Sequence, residues 1–422
     1  MNGGDLLVFS MPAFQFIQLH VIGVLSGSDL LISIAFIALF LTRKIKVGTT
    51  MGKRFIVLGS LWLLSQIATD LVRHTPLKDC ARGWSNIGLT MAFFSVMFSF
   101  LNGNPRRIVL YAWGLVAGSA LTYLITPSTF AMEEPWKFGL AYPVTLSILL
   151  VASRSDVRGH WPITLSGFAG VLNFALSFRN LGGICIAAAL YIAAIRYSNK
   201  KSSANRKLRP TVMAALAISV VLGFAGIYLA YQYAVTSGLL GEQARDKYEQ
   251  QSSGKYGILL GGRVEMLSSI PAIIDSPILG HGYAAKDPKY LIMEQQALAI
   301  MGYKDAGDLS PDDLQEGLIP SHSFILGAWV AAGIGGAIFW AWVWLLTCKA
   351  LLRTYPQGMK LLPLAAYAAF QLLWDIPFSP YGAQMRIISP FYILILMNYL
   401  SVARTKPAKL EPNPAAMRLK TA

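Results

Sequence analysis

Seven side chains of this 422-residue chain combine reactive chemistry with a position at the edge of an apolar block or inside its one long polar stretch: Arg82, Arg179, Arg263, His281, His322, Asp375 and Arg386. The planar fork of an arginine engages phosphate or carboxylate oxygens in pairs. Histidine is the side chain that exchanges its proton near neutral pH, so it serves as a general base. A carboxylate orients such a base or pairs with an arginine. Each residue also has a plainer reading. Arg179 can be an arginine that snorkels to the headgroups, Arg263 a solvated loop residue, His322 an interfacial histidine with one hydrogen bond, and Asp375 half of a structural ion pair.

Local context sharpens three of them. Arg179 stands in Ser177-Phe178-Arg179-Asn180-Leu181-Gly182-Gly183, between two apolar blocks, where a charge is costly without a partner or water. Arg263 stands in Gly261-Gly262-Arg263-Val264-Glu265-Met266, and Asp275 further along is a candidate partner for it. The following Ser276-Pro277-Ile278-Leu279-Gly280-His281-Gly282 carries the punctuation of a tight turn. It follows no strand and opens no nucleotide-fold helix, so it reads poorly as a phosphate loop. His322 follows Pro320-Ser321 and opens an apolar block that runs to Thr347.

What must position these residues is a membrane bundle. The chain is 55% hydrophobic and 14% charged, against about 25% charged in a soluble domain. Its apolar residues come in blocks long enough to span a bilayer. They run at 6–25, 29–42, 54–72, 84–102, 107–126, 137–153, 162–178, 182–197, 210–236, 322–347, 361–375 and 384–402. The expected fold is therefore an all-α integral membrane protein of 11–12 transmembrane helices. The count is twelve if the first two blocks form a pair broken at Ser26-Gly27-Ser28, with Asp29 as an acid in the first turn of the second helix, and eleven if they cross once.

Orientation follows from lysine and arginine. Of 36 such residues, 23 fall in one set of short loops and in the tail, which places those segments in the cytoplasm. The net charge of +15 is thus a matter of topology and anionic lipid, not of nucleic acid. The stretch 236–321 holds 86 residues and twelve acids. A loop this long is functional as a rule, and helices are expected in it around 241–251, 263–275 and 287–302. The organisation read from this is an N-terminal bundle (1–235), a large partly helical periplasmic loop (236–321), C-terminal helices (322–402) and a cytoplasmic tail (403–422) expected to be disordered. Cys80, Cys185 and Cys348 match no metal spacing. Residues 1–28 lack the basic start of a cleavable signal peptide, and Asp312-Asp313 reads as a solvated acidic face.

Taken together, Gly262-Arg263-x-x-Met266, then Ser276-Pro-Ile-Leu-Gly-His-Gly282, then His322-Ser-Phe-Ile-Leu-x-x-Trp329-Val-x-x-Gly333-Ile-x-Gly resembles the signature of the O-antigen ligase and polysaccharide polymerase superfamily. The segment around Arg179 is similar to that family's Ser-Arg-Gly segment, although Phe178 and Asn180 flank the arginine here. His322-Ser323 stands where the family often has His-Asn. Arg82 and Arg386 look like arginines of exopolysaccharide polymerases. The resemblance implies an inner-membrane glycosyltransferase, inverting and metal-independent, without a cofactor. Its donor would be an undecaprenyl-diphosphate-linked oligosaccharide at the periplasmic face, and its acceptor a lipid-linked glycan. His322 would be the base, Arg179 and Arg263 would hold the diphosphate, and Arg82, Arg386 and Asp375 would be further substrate contacts. A flippase and a chain-length regulator are the implied partners.

Within the superfamily the alternative is a ligase that transfers glycan to lipid A-core. From another class, a lipid-linked glycan transporter would need charges inside the bundle and often internal repeats, and no repeat is visible. A scaffold that recruits other enzymes is a third reading.

Overall fold

The computed structural model describes residues 2–21, 23–154, 159–199, 208, 210–238, 241–255, 264–303, 317–353 and 361–402. Arg263, Asp312-Asp313, the tail from residue 403 and several basic loop residues, all singled out in the sequence, lie outside the described residues. In chain order the helices are α1 (Gly3–Ala13), α2 (Gly27–Leu41), α3 (Thr50–Val72), α4 (Leu77–Leu101), α5 (Pro105–Ile125), α6 (Thr129–Glu133), α7 (Ala141–Arg154, entered through a π-turn at Trp136–Leu140), α8 (Trp161–Ala175), α9 (Arg179–Asn199) and α10 (Pro210–Thr236). They continue as α11 (Glu242–Ser252), α12 (Met266–Asp275), α13 (Pro288–Ile300), α14 (Phe324–Ala332), α15 (Ile334–Leu351), α16 (Leu362–Phe378) and α17 (Met385–Val402). Among the described residues the only sheet is a hairpin of β1 (Gln18–His20) and β2 (Val24–Ser26). This is an all-α integral membrane protein, and among the described residues six helices are long and apolar enough to cross a bilayer. Helices α11, α12 and α13 stand where helices were expected between residues 236 and 321.

The first apolar block departs from a simple span. α1 runs alongside α5, held at its start by Asp5, whose carboxylate pairs with Arg106 at 3.1 Å and Arg107 at 3.3 Å. At its end Gln15 donates to Ser119 Oγ at 3.2 Å. Eleven helical residues rise only about 16 Å, and a 3₁₀ turn at Phe14–Phe16 extends them. The rest of the block folds into the β1–β2 hairpin, so it is not one helix. α2 then starts at Ser26 in a capping box with Asp29, the pairing expected of that first-turn acid. Asp29 serves a second purpose, because Arg386 at the start of α17 donates to it through Nε at 2.8 Å and Nη2 at 2.6 Å. This buried bidentate pair ties the second helix to the last.

The block from His322 to Thr347 departs in a second way. It is two helices folded against each other, not one. The rings of Phe324 in α14 and Trp340 in α15 lie 4.9 Å apart, and the Ala328 carbonyl abuts Gly336. These contacts are possible only if α14 runs antiparallel to α15. The turn is at Gly333, with φ 64° and ψ −153°, a region open essentially to glycine alone. A break here strands backbone groups that a bilayer cannot satisfy. The segment Ile278–Gly282 satisfies them. His281 N–H donates to Val330 O at 2.7 Å, Gly282 N–H to Ala331 O at 3.1 Å, and Ile334 N–H to Ile278 O at 3.1 Å. Ser65 Oγ of α3 donates to Ala332 O at 2.6 Å. Aromatic packing of Trp62, Phe324, Phe339 and Tyr381 around the buried Trp340 fills the space below the turn.

Gly333→Ala would hold its residue in a forbidden conformation and drive a Cβ into the Ile278 carbonyl. The expected outcome is a loss of at least about 1–3 kcal/mol, read as a lower midpoint of thermal unfolding in detergent, with earlier proteolysis of the segment 276–285. Arg386→Met should cost about 3–5 kcal/mol by leaving Asp29 buried and unpaired. The double variant Asp29→Asn, Arg386→Met should recover part of that loss in the same assay.

Candidate functional site

His322 does not open its helix. Ser323 is the cap, its Oγ accepting from Leu326 N–H at 3.1 Å and donating to the Ile376 carbonyl of α16 at 2.9 Å. His322 therefore precedes the helix, and its ring is about half exposed. Its Nδ1 lies 3.0 Å from Glu265 Oε1. An ionised carboxylate can only accept, so Nδ1 carries the hydrogen, and in the neutral ring the lone pair is on Nε2. This is the arrangement of a general base steered by an acid. Glu265 was not singled out in the sequence, although it lies two residues after Arg263 in the same motif.

Behind this pair is a second carboxylate. Glu294 of α13 is buried, and its Oε2 has no hydrogen-bond partner among the described residues. Burial raises its pKa, the nearby Glu265 charge adds to the rise, and a hydrogen bond from Ser268 partly offsets both. Ser268 and Ser269, buried on α12, donate to the Pro320 carbonyl at 3.3 and 2.7 Å and so fix the backbone just before His322. The elements that carry Glu265 and His322 are thus locked together by hydroxyl groups on α12.

The turn Gly280-His281-Gly282 is a docking device. Gly280 and Gly282 have φ of 84° and 97°, and a Cβ on either would collide with the Gly333 amide or the Thr75 hydroxyl. Arg73 at the end of α3 donates to Gly280 O at 3.0 Å and to Ser276 Oγ at 2.8 Å. Thr69 donates to the Leu279 carbonyl. Asp70, buried in α3, accepts from Tyr283 N–H at 2.9 Å, from Trp84 Nε1 at 2.8 Å and from Gln66. The His281 ring is spent on structure, its Nε2 2.7 Å from the Ala272 carbonyl and its edge against Tyr290. Asp70 was also missed in the sequence, where an acid inside an apolar block was itself the signal.

The structure groups the remaining candidates unevenly. Arg82 sits beside the hairpin tip at Gly23, is 42% exposed and pairs weakly with Asp79 at 3.4 Å. It shares a neighbour with Arg386: the Tyr283 ring packs on Gly83, and burial raises the Tyr283 pKa against the opposing charges of both arginines. Arg386 itself is buried and engaged by Asp29, and its Nη2 also donates to Val24 O at 2.6 Å. That makes it a structural tie, where the sequence had offered a substrate contact. Asp375 is buried too, but it accepts from Gln371 at 2.9 Å and Ser379 Oγ at 2.7 Å and pairs with no arginine among the described residues. It neighbours the His322 region through Ile376. Asp275 is held by Lys289 at 2.6 Å and Tyr290 at 2.8 Å, which lower its pKa, and its expected pairing with Arg263 lies outside the described residues.

Arg179 begins α9, its guanidinium 4.4 Å from the Tyr231 ring of α10, a cation–π contact. Twelve residues along α9, Tyr191 reaches the Ala350 and Arg353 carbonyls at the far end of α15. That is about 18 Å of helix, which places Arg179 toward the other end, the one where α15 begins and the α14 turn lies.

No protein-family model matches the chain, and no curated protein is similar enough to count as a relative.

Because Glu294 binds its proton more tightly folded than unfolded, it contributes stability that is complete below the ordinary glutamate pKa. That contribution is lost as pH rises through the ordinary value toward the raised one. Glu294→Gln should therefore raise the thermal midpoint at neutral pH while changing it little at pH 4. A midpoint that falls equally at both would contradict the assignment.

Proposed function

We propose that this protein is a membrane glycosyltransferase that joins polyprenyl-diphosphate-linked oligosaccharides, acting as a polysaccharide polymerase of the bacterial inner membrane. The single observation that carries this reading is the His322–Glu265 pair at 3.0 Å, a contact through Nδ1 that leaves Nε2 as the basic atom of a neutral ring. Support also comes from the setting. The pair lies where the long polar stretch returns to the bundle, and Arg179 is toward the same end of α15.

In this reading the acceptor hydroxyl gives its proton to His322 Nε2 as its oxygen forms a bond to the anomeric carbon of the donor. The bond from that carbon to the diphosphate oxygen breaks, and the electron pair leaves with the polyprenyl diphosphate. Attack opposite the leaving group inverts the anomeric centre. Arginine is suited to the departing diphosphate because it binds its oxygens in pairs and stays charged. Arg179, Arg263 and Arg82 are assigned that task, with Arg179 oriented by the Tyr231 ring. Glu265 holds the imidazole in the tautomer that accepts at Nε2 and stabilises the imidazolium as it forms, as acids paired with catalytic histidines do. The scheme needs no metal and no cofactor.

The test is incubation of purified protein with a lipid-linked oligosaccharide, alone and with lipid A-core. A ladder of lengthened lipid-linked product is expected, and transfer to lipid A-core alone would replace the polymerase reading with the ligase. His322→Ala should lower turnover by roughly 10²–10⁴-fold. Glu265→Gln should lower it less and alter the pH–rate profile. Full activity in a folded His322→Ala variant would refute the base.

A further inference from the structure

Among the described residues nothing covers one face of α12. Ile270 and Ile274 lie one turn apart on it and are 44% and 70% exposed, and Ile278, in the turn just past its end, is 73% exposed. The opposite face is occupied, since Ala272 and Ile273 pack with Tyr290 and Val330, and Ser268 and Ser269 hold Pro320. Two exposed isoleucines on a helix whose other side is occupied, with a third just past its end, form an exposed apolar patch of the kind that marks an interaction surface.

The position of α12 in the bundle identifies that cover. Its start, Glu265, meets His322, just before α14. Its continuation, Ile278, meets Ile334, just after α14. So α12 lies beside α14 and points the same way. α14 in turn runs antiparallel to α15, with Ala328 against Gly336 and Phe324 against Trp340. The pair α12–α14 therefore spans the depth of α15 from Ile334 to Trp340, about 9 Å of helix. α15 has 18 residues, about 27 Å, and a hydrocarbon core is about 30 Å thick. All of α15 is needed to cross, so its first two turns lie inside the core. What sits beside them sits there as well. Ile334 and Ile338 of α15, also more than 40% exposed, belong to the lipid-facing surface at that same depth.

We infer that α12 is embedded in the adjoining lipid leaflet, with the acyl chains of the bilayer covering the Ile270–Ile274–Ile278 patch. The segment between α10 and α14 is then only partly aqueous. Its central helix is membrane-dipping, and it carries Glu265 and His322 below the headgroup plane. The inference rests on the geometry of α12, α14 and α15 and stands whether or not the protein is a glycosyltransferase.

Single cysteines at 270, 274 and 278, each in a chain lacking Cys80, Cys185 and Cys348, would carry nitroxide labels in proteoliposomes of phosphatidylethanolamine and phosphatidylglycerol. A label at Glu249, half exposed on α11, is the aqueous reference. The expected result is high collision with oxygen and low collision with a water-soluble nickel chelate at all three isoleucine positions, with the opposite at 249. Chelate access at the three positions equal to that at 249 would overturn the inference. So would protection from both reagents, since another protein surface would then be the cover. Each substitution is on an exposed face, and the three are read independently, so misfolding of one leaves the others decisive.

Discussion

A helix cannot turn back inside a bilayer unless something else pairs with the backbone groups the turn exposes. That constraint organises this protein. The turn at Gly333 leaves Val330, Ala331 and Ala332 with carbonyls to satisfy and Ile334 with a free amide. Five partners answer from two distant parts of the chain, Ile278, His281 and Gly282 from one side and Ser65 and Gln66 of α3 from the other. The turn holds the segment in place, and the segment allows the turn. Neither arrangement has a reason to exist without the other.

Once that turn is made, the polar groups beneath it follow. α14 delivers His322 beside α16, through the Ser323 hydroxyl on Ile376. α12 delivers Glu265 to His322, because α12 is pinned at one end by the serines on Pro320 and at the other by Arg73 and Asp70 around Gly280–Tyr283. The imidazole and the carboxylate come from segments 57 residues apart in the chain, and neither is held by its own helix alone. Precision at the pair is a property of the packing around it.

Much of this was legible in the sequence and some was not. Hydropathy located the bundle, because a long apolar run leaves few choices in membrane and water. The length of the polar stretch 236–321 led to helices being expected where α11, α12 and α13 stand. His322 stood out as an imidazole at an apolar boundary, and Gly280 and Gly282 stood out as a turn. What stayed hidden were relations between distant residues. The run from His322 to Thr347 reads as one helix, since its apolar pattern does not reveal that Gly333 adopts a conformation forbidden to other residues. Arg386 reads as an available charge until Asp29, 357 residues away, is seen to hold it. Glu265 and Asp70 gain meaning only from what folds onto them. Residue type and spacing disclose elements and candidates, while partners are disclosed by the tertiary fold.

The Asp29–Arg386 pair has a consequence for biogenesis. A ribosome delivers the chain from its amino end, so α2 and its carboxylate are inserted long before α17 is synthesised. Throughout elongation that acid must be sheltered by water in the translocation channel, by a chaperone or by a provisional neighbour. Bundle closure is therefore a late event, completed when the final helix arrives. A chain released early would retain an uncompensated negative charge at the heart of an otherwise inserted protein, a distinctive mark for quality control.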